Sequence, residues 1–212
     1  MKLITQSLIL ASLPTVAMAD YAGLSFELVH IDGDQYTIRM YAEFDSTEDQ
    51  LNGVFGDAED SLYIHSDKGF YQNPFGGPTS VTINPALFAV FPSLEYDSWV
   101  TIGSENYIDN QMNDIGISWD NFEAGGSIET DNGIWFTPPD EIQAFAGSDL
   151  RVMVAQFTTL GYGNIYGEIN LIGKTYDGET FYARNQYFSM FIPSPPSIAL
   201  IGLFGLRARR RQ

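Results

Sequence analysis

Leu24-Ser25-Phe26-Glu27-Leu28-Val29, then Asp32-Gly33, then Tyr36-Thr37-Ile38-Arg39-Met40-Tyr41-Ala42-Glu43-Phe44 is the stretch on which the fold turns. Apolar and polar residues alternate on both sides of the Asp-Gly pair, the period of a strand with one buried face. An Asp-Gly pair tolerates the positive φ angles of a tight hairpin turn. The stretch therefore predicts an antiparallel hairpin.

Outward from this hairpin the same signals recur. Val54-Phe55-Gly56 and Leu62-Tyr63-Ile64 predict short strands, and further strands are expected at Ser98–Ile102, Ile115–Trp119, Ile134–Phe136, Leu150–Thr158, Ile165–Ile172 and Glu179–Phe191. Turn signals fall at Asn52-Gly53, Gly125-Gly126, Asn132-Gly133 and Asp177-Gly178. Residues 67–97 break the pattern, because Pro74, Gly76, Gly77 and Pro78 deny a long regular element. Within them, Asn84–Pro92 predicts a short helical turn capped by Asn84, with Pro85 at its first position and Pro92 at its end. There is no long amphipathic helix and no alternation of strand with helix. The expectation is an all-β fold, a single antiparallel β-sandwich domain of about eight to ten strands over residues 20–192.

The two ends read differently. Lys2, the mostly apolar Leu3–Val16 and the small-x-small site Ala17-Met18-Ala19 predict a secretory signal peptide over residues 1–19, cut by signal peptidase before Asp20. At the other end, Ile192-Pro193-Ser194-Pro195-Pro196-Ser197 is a proline-rich break. The apolar run Ile198–Leu206 follows, and then Arg207, Arg209, Arg210 and Arg211. Arginines of this kind stay on the cytoplasmic side of a bilayer. The apolar run is short for a span of about 20 residues, so flanking residues and snorkelling arginine stems must extend it.

This order resembles the PEP-CTERM sorting signal of exosortase substrates in Gram-negative bacteria, with Pro193-Ser194-Pro195 where Pro-Glu-Pro is usual. The resemblance covers about residues 192–212. It implies export, transient holding in the inner membrane by a short membrane helix, cleavage near the proline motif by an exosortase-like membrane protease, and release to the cell surface or outside the cell. The body is similar to an uncharacterised domain of secreted bacterial proteins, through Gly69–Gly77 and Phe91–Gly103. A sandwich similar to carbohydrate-binding modules or cohesins is an analogy of fold only.

Composition narrows the function. Residues 20–192 hold all 27 acidic residues and five of the ten basic ones, a net charge of −22. Such a surface repels nucleic acid, which needs clustered Lys and Arg. There is no cysteine, hence no disulfide, thiolate metal site or thiol nucleophile. The chain carries no Gly-x-Ser-x-Gly elbow, no phosphate-cradling loop and no dinucleotide fingerprint.

The remaining candidates are few. His30 before Asp32 and Asp34 could ligate a metal, but a strand end entering an acidic turn accounts for it. His65-Ser66-Asp67 holds the residue types of a hydrolytic triad without an elbow. Calcium is the one cofactor these residues suggest, at Asp45, Glu48 and Asp49 or at Asp57, Glu59 and Asp60, since hard cations take clustered carboxylates. The plainer reading is solvated acidic loops. Trp99 and Trp119 are expected in the core, and Trp135, just before Pro138-Pro139, at a glycan-binding rim. The sequence therefore points to an exported non-enzymatic envelope or extracellular-matrix protein, structural or adhesive. A glycan-binding module facing extracellular polysaccharide is the first alternative and a secreted hydrolase the second.

Overall fold

The computed structural model describes residues 21–192. The expected signal peptide with Ala17 and Ala19, and the tail with Pro193, Ser194, Pro195, Arg207, Arg209, Arg210 and Arg211, lie outside the described residues.

The strands are β1 (Tyr21–Asp32), β2 (Gln35–Phe44), β3 (Gln50–Gly56), β4 (Leu62–Ser66), β5 (Trp99–Val100), β6 (Asn113–Ile115), β7 (Ile128–Thr130), β8 (Gly133–Phe136), β9 (Arg151–Leu160), β10 (Asn164–Lys174) and β11 (Thr180–Phe191). One α-helical turn, α1 (Asp120–Glu123), joins them. They form two antiparallel sheets. The first has four strands in the order β1-β2-β9-β5; the second runs β6-β8-β3-β10-β4-β7, with β11 on the other edge of β10.

In the second sheet, β3 lies along Asn170–Lys174 of β10, and β4 continues the same line along Ile165–Glu168. The acidic loop 57–61 interrupts that line. Strands β7 and β8 form a parallel case one place further out, interrupted at Asp131-Asn132, with β8 beside β3 and β7 beside β4.

The predicted hairpin is β1–β2. Its loop is Gly33-Asp34, because Asp32 already pairs with Gln35, and Gly33 takes the required positive φ of +61°. Between the sheets lie Ile38, Met40, Leu51, Val54, Ile64, Trp135, Val154, Phe157, Ile169 and Leu171, all buried. Each such side chain contributes about 1.5–3 kcal/mol over leaving it in water. This interior establishes the all-β sandwich.

Several local expectations are corrected. Asn52-Gly53 is no turn: it lies inside β3, where Gly53 makes room for Ile134 and Ile172 on its neighbours. The strand expected at Ile115–Trp119 stops at Ile115, because Gly116 turns the chain at φ +76° and Trp119 leads into α1. Pro92 does not end the helical turn; it opens a second 3-10 turn, Pro92–Tyr96. Asn84 does cap the first, Pro85–Leu87, its side chain accepting from the Ala86 N–H. Strand β7, three residues long, was too short to carry a periodic signal.

The irregular segment 67–98 has a structural task. It lies over the outer face of the four-stranded sheet, where Tyr41, Ile83, Leu94, Trp99 and Met153 make a second apolar cluster. Asp97 anchors it. This fully buried carboxylate accepts the N–H groups of Asn73 (2.7 Å) and Gly77 (3.2 Å). Gly76 is required beside it, since a Cβ there would stand 1.7 Å from Asp97 Oδ2.

Candidate functional site

Among the described residues nothing covers the outer face of the seven-stranded sheet. In β4, Leu62 and Ile64 point inward, so Tyr63 and His65 point out. In β10, Ile165 and Ile169 are buried, leaving Tyr166 and Glu168 outward. In β11, Phe188 is buried, leaving Tyr187 and Ser189 outward. The registers bring these residues into rows. Glu129, Tyr63, Glu168 and Tyr187 stand side by side on β7, β4, β10 and β11. Carboxylate and phenol alternate along this row, which spans roughly 14 Å at the interstrand spacing. The next row holds His65, Tyr166 and Ser189.

The rings contact one another. His65 stacks on Tyr166, centroids 5.6 Å apart, and meets Tyr63 edge-on at 5.5 Å. His65 Nε2 lies 3.4 Å from Glu129 Oε1. Glu168 has neither hydrogen-bond nor ion-pair partner among the described residues. The Tyr63 phenol is pushed up by burial first, then by the negative charge of Glu168 and by Tyr187 and Tyr166, so it stays neutral. A hollow of about 630 Å³ lined by Tyr63, His65, Glu129 and Asp131 adjoins the row.

At the other end of the same face is an apolar cleft of about 460 Å³ between Phe55, Ile115, Ile134, Ile172 and Tyr182. Phe55 and Tyr182 meet edge-on at 6.3 Å, and Ile115 is 66 % exposed.

A polar node separates the two halves. Buried Asn170 donates to the carbonyls of Phe55 (3.0 Å) and Asp60 (2.7 Å) and accepts from the Asn185 N–H (2.9 Å). It thereby holds the loop 57–61 and a bulge in β11, where Asn185 adopts φ +55°. Arg184 reaches from that bulge to Asp57 and Asp60, both at 2.7 Å, with its guanidinium 5.1 Å from the Phe55 ring centroid. The hydrogen bond from Arg184 is the first cause holding the Asp57 carboxyl down at about 2, assisted by the backbone N–H of Asp60.

The outer face of the four-stranded sheet carries a different cleft, of about 830 Å³. There Arg39 makes a bidentate pair with Glu105 (2.9 and 2.8 Å), and Arg151 pairs with Glu27 at 3.1 Å and lies 4.0 Å over the Tyr41 ring. Both arginines are thus already paired within the cleft.

Trp135, expected at a rim, is 0 % exposed: it faces inward from β8 and its indole N–H donates to the Thr101 carbonyl at 3.1 Å. Its neighbours Ile134 and Phe136 took the outward phase. Trp99 is buried, and Trp119 is half-buried against Trp135. The calcium candidates do not assemble. Asp49 is buried and accepts from the N–H groups of Ser46 and Tyr176. It stands apart from exposed Asp45 and Glu48, while Asp57 and Asp60 are held by Arg184. Among the described residues no group of three or more His, Asp or Glu side chains could hold a metal ion. His30 stacks on Tyr96 at 3.7 Å. The His65-Ser66-Asp67 run forms no relay: Ser66 Oγ accepts from the Lys68 N–H and Asp67 from the Asn164 N–H.

The sequence reading passed over Tyr63, Tyr166, Tyr182 and Tyr187. The signal lay in the polar phase of the strands, which is aromatic where it is usually charged.

No family model matches the chain, and no curated protein matches it. Among solved structures, a cohesin module from a Clostridium perfringens ATCC13124 family 33 glycoside hydrolase is similar at 8 % identity and TM-score 0.35, over 82 % of this chain and 96 % of that one.

Proposed function

We propose that this chain is an exported, non-enzymatic surface protein, sorted by an exosortase-type system, whose adhesive work is done by binding glycan on the outer face of the seven-stranded sheet. The observation that carries the binding reading is the uncovered run of Tyr63, Tyr166 and Tyr187 across three adjacent strands. A pyranose ring has apolar C–H faces and a rim of hydroxyls. Flat phenol rings offer matching apolar area at low entropic cost, and Glu129 and Glu168 accept hydrogen bonds from the rim. Contiguous exposed aromatic surface on a water-soluble fold marks an interaction site. Export rests on the Ala17–Ala19 cleavage site and on the ordered proline, apolar and arginine features of the tail.

The test of binding is affinity electrophoresis of the full chain through gels containing soluble polysaccharides. Retardation by at least one glycan is expected, with about tenfold weaker retention for Tyr63→Ala or Tyr187→Ala. Unretarded migration in every gel, or variants that bind like the parent, rejects the reading. For export, N-terminal sequencing of secreted protein should begin at Asp20. Neutralising Arg207, Arg209, Arg210 and Arg211 together should impair membrane retention and processing, and unchanged retention and trimming would reject the sorting tail.

A further inference from the structure

We propose that the glycan held on this face carries amine groups, so that its ammonium substituents sit over the Tyr63 and Tyr187 rings and against Glu168. The inference rests on the glycan-binding reading and names the substrate class of that site. Its basis is the order of groups in the row Glu129–Tyr63–Glu168–Tyr187. Adjacent strands are about 4.8 Å apart, so a cation centred over either phenol lies within ring range, about 6 Å, and beside a carboxylate. A neutral sugar would use the rings but leave the charge of Glu168 unanswered. A uronate polymer would set its own carboxylates against Glu168, Glu129 and the nearby Asp131.

Among the described residues the chain supplies no cation of its own to the row beyond His65 beside Glu129. Arg184 is held by Asp57 and Asp60, Arg39 and Arg151 serve the opposite face, Lys174 ends β10 beyond the node, and Lys68 lies in the turn after β4 against Gly161. The net charge of −22 over residues 20–192 draws a polycation toward the domain at long range. The alternation of rings and carboxylates in the row gives a reason for such a chain to stop here rather than elsewhere on the surface.

The experiment uses the full chain with four soluble probes of matched length: a β-linked glucosamine oligomer, its fully N-acetylated counterpart, a polyuronate and polylysine, measured by calorimetry at 0.15 M salt. The glucosamine oligomer should bind about tenfold tighter than the acetylated one, the scale of an ammonium–ring contact with a paired carboxylate. The polyuronate should not bind. Glu168→Gln should abolish the preference for amine, the glucosamine oligomer losing far more affinity than the acetylated one. Glu105→Gln, on the other face, should leave the preference intact. Tyr187→Ala should weaken both oligomers.

Equal affinity for the two oligomers overturns this inference and leaves the glycan reading standing. Binding of neither oligomer overturns this inference as well, and the glycan reading then stands or falls on the electrophoresis with other polysaccharides. Polylysine bound as tightly as the glucosamine oligomer, or a preference that survives Glu168→Gln, overturns the assignment to this row in favour of diffuse charge attraction.

Discussion

On the four-stranded sheet the outward positions include Thr37, Gln156 and Thr158, and all three are buried; on the seven-stranded sheet they are Tyr63, Tyr166, Glu168 and Tyr187, and water reaches all four. By residue type neither set looks like core. The difference lies in hydrogen-bond partners. The Thr37 and Thr158 hydroxyls bond each other at 2.8 Å. Gln156 donates to the carbonyls of Glu95 and Asp97, and the Ser98 hydroxyl serves the backbone of Thr158. The segment 67–98 brings the backbone carbonyls that satisfy Gln156, the two threonines satisfy each other, and burying these groups costs little once they are paired. Among the described residues no such segment lies over the tyrosine rows, which leaves their apolar area available to a ligand. One face became a second core and the other a candidate site.

The contrast breaks first at the two aromatic side chains that exemplify inside and outside. Trp135→Ala should cost about 3–5 kcal/mol in urea unfolding, whereas Tyr187→Ala, 65 % exposed, should stay within about 0.5 kcal/mol. Comparable losses would mean that inner and outer faces are misassigned. The next largest effect is at the anchor of the covered face. Asp97→Ala leaves the N–H groups of Asn73 and Gly77 buried and unpaired, for about 2–4 kcal/mol. Hydrogen exchange should show residues 70–98 losing protection ahead of β10 and β11. Uniform loss over both sheets would show the cover to be no separate layer.

The two faces should also answer acid with opposite signs. Burial pushes the Asp97 carboxyl up to about 6, against the pull of its backbone N–H partners. The folded state therefore holds that proton more tightly than the unfolded chain, whose value is near 3.8. The contribution is fully present below pH 3.8 and lost as pH rises through 6, a swing of at most about 3 kcal/mol. Unfolding series at pH 4, 5, 6 and 7 should show this decline in the parent and a flatter profile in Asp97→Asn. Matching slopes would detach it from Asp97. Asp57 behaves the other way. Arg184 holds it down at about 2, so its contribution is present above 3.8 and lost as pH falls through 2. The smallest effect follows: Arg184→Ala should move the Asp57 titration, followed by carboxyl NMR, upward toward 3.8 with little change in global stability. An unmoved titration would mean that the node is not held by that pair.

Alternation in Leu24–Phe44, the Asp32-Gly33 turn and the short apolar runs of the later strands were enough to determine an antiparallel all-β body, because strand period and turn chemistry are local properties. The acidic surface and the absence of thiol chemistry followed from composition in the same way. What no local pattern could decide was which polar phase would be covered. Trp135 precedes a proline pair and looks like a rim residue, yet register with Val54 on β3 turns it inward. Glu129, Tyr63, Glu168 and Tyr187 lie far apart in the chain and become a row only when β7, β4, β10 and β11 pair. Asp57 and Asp60 resembled a cation loop until the β11 bulge delivered Arg184 to them. Register and strand order are long-range outcomes of packing the whole interior, and they set both the buried face and the exposed row.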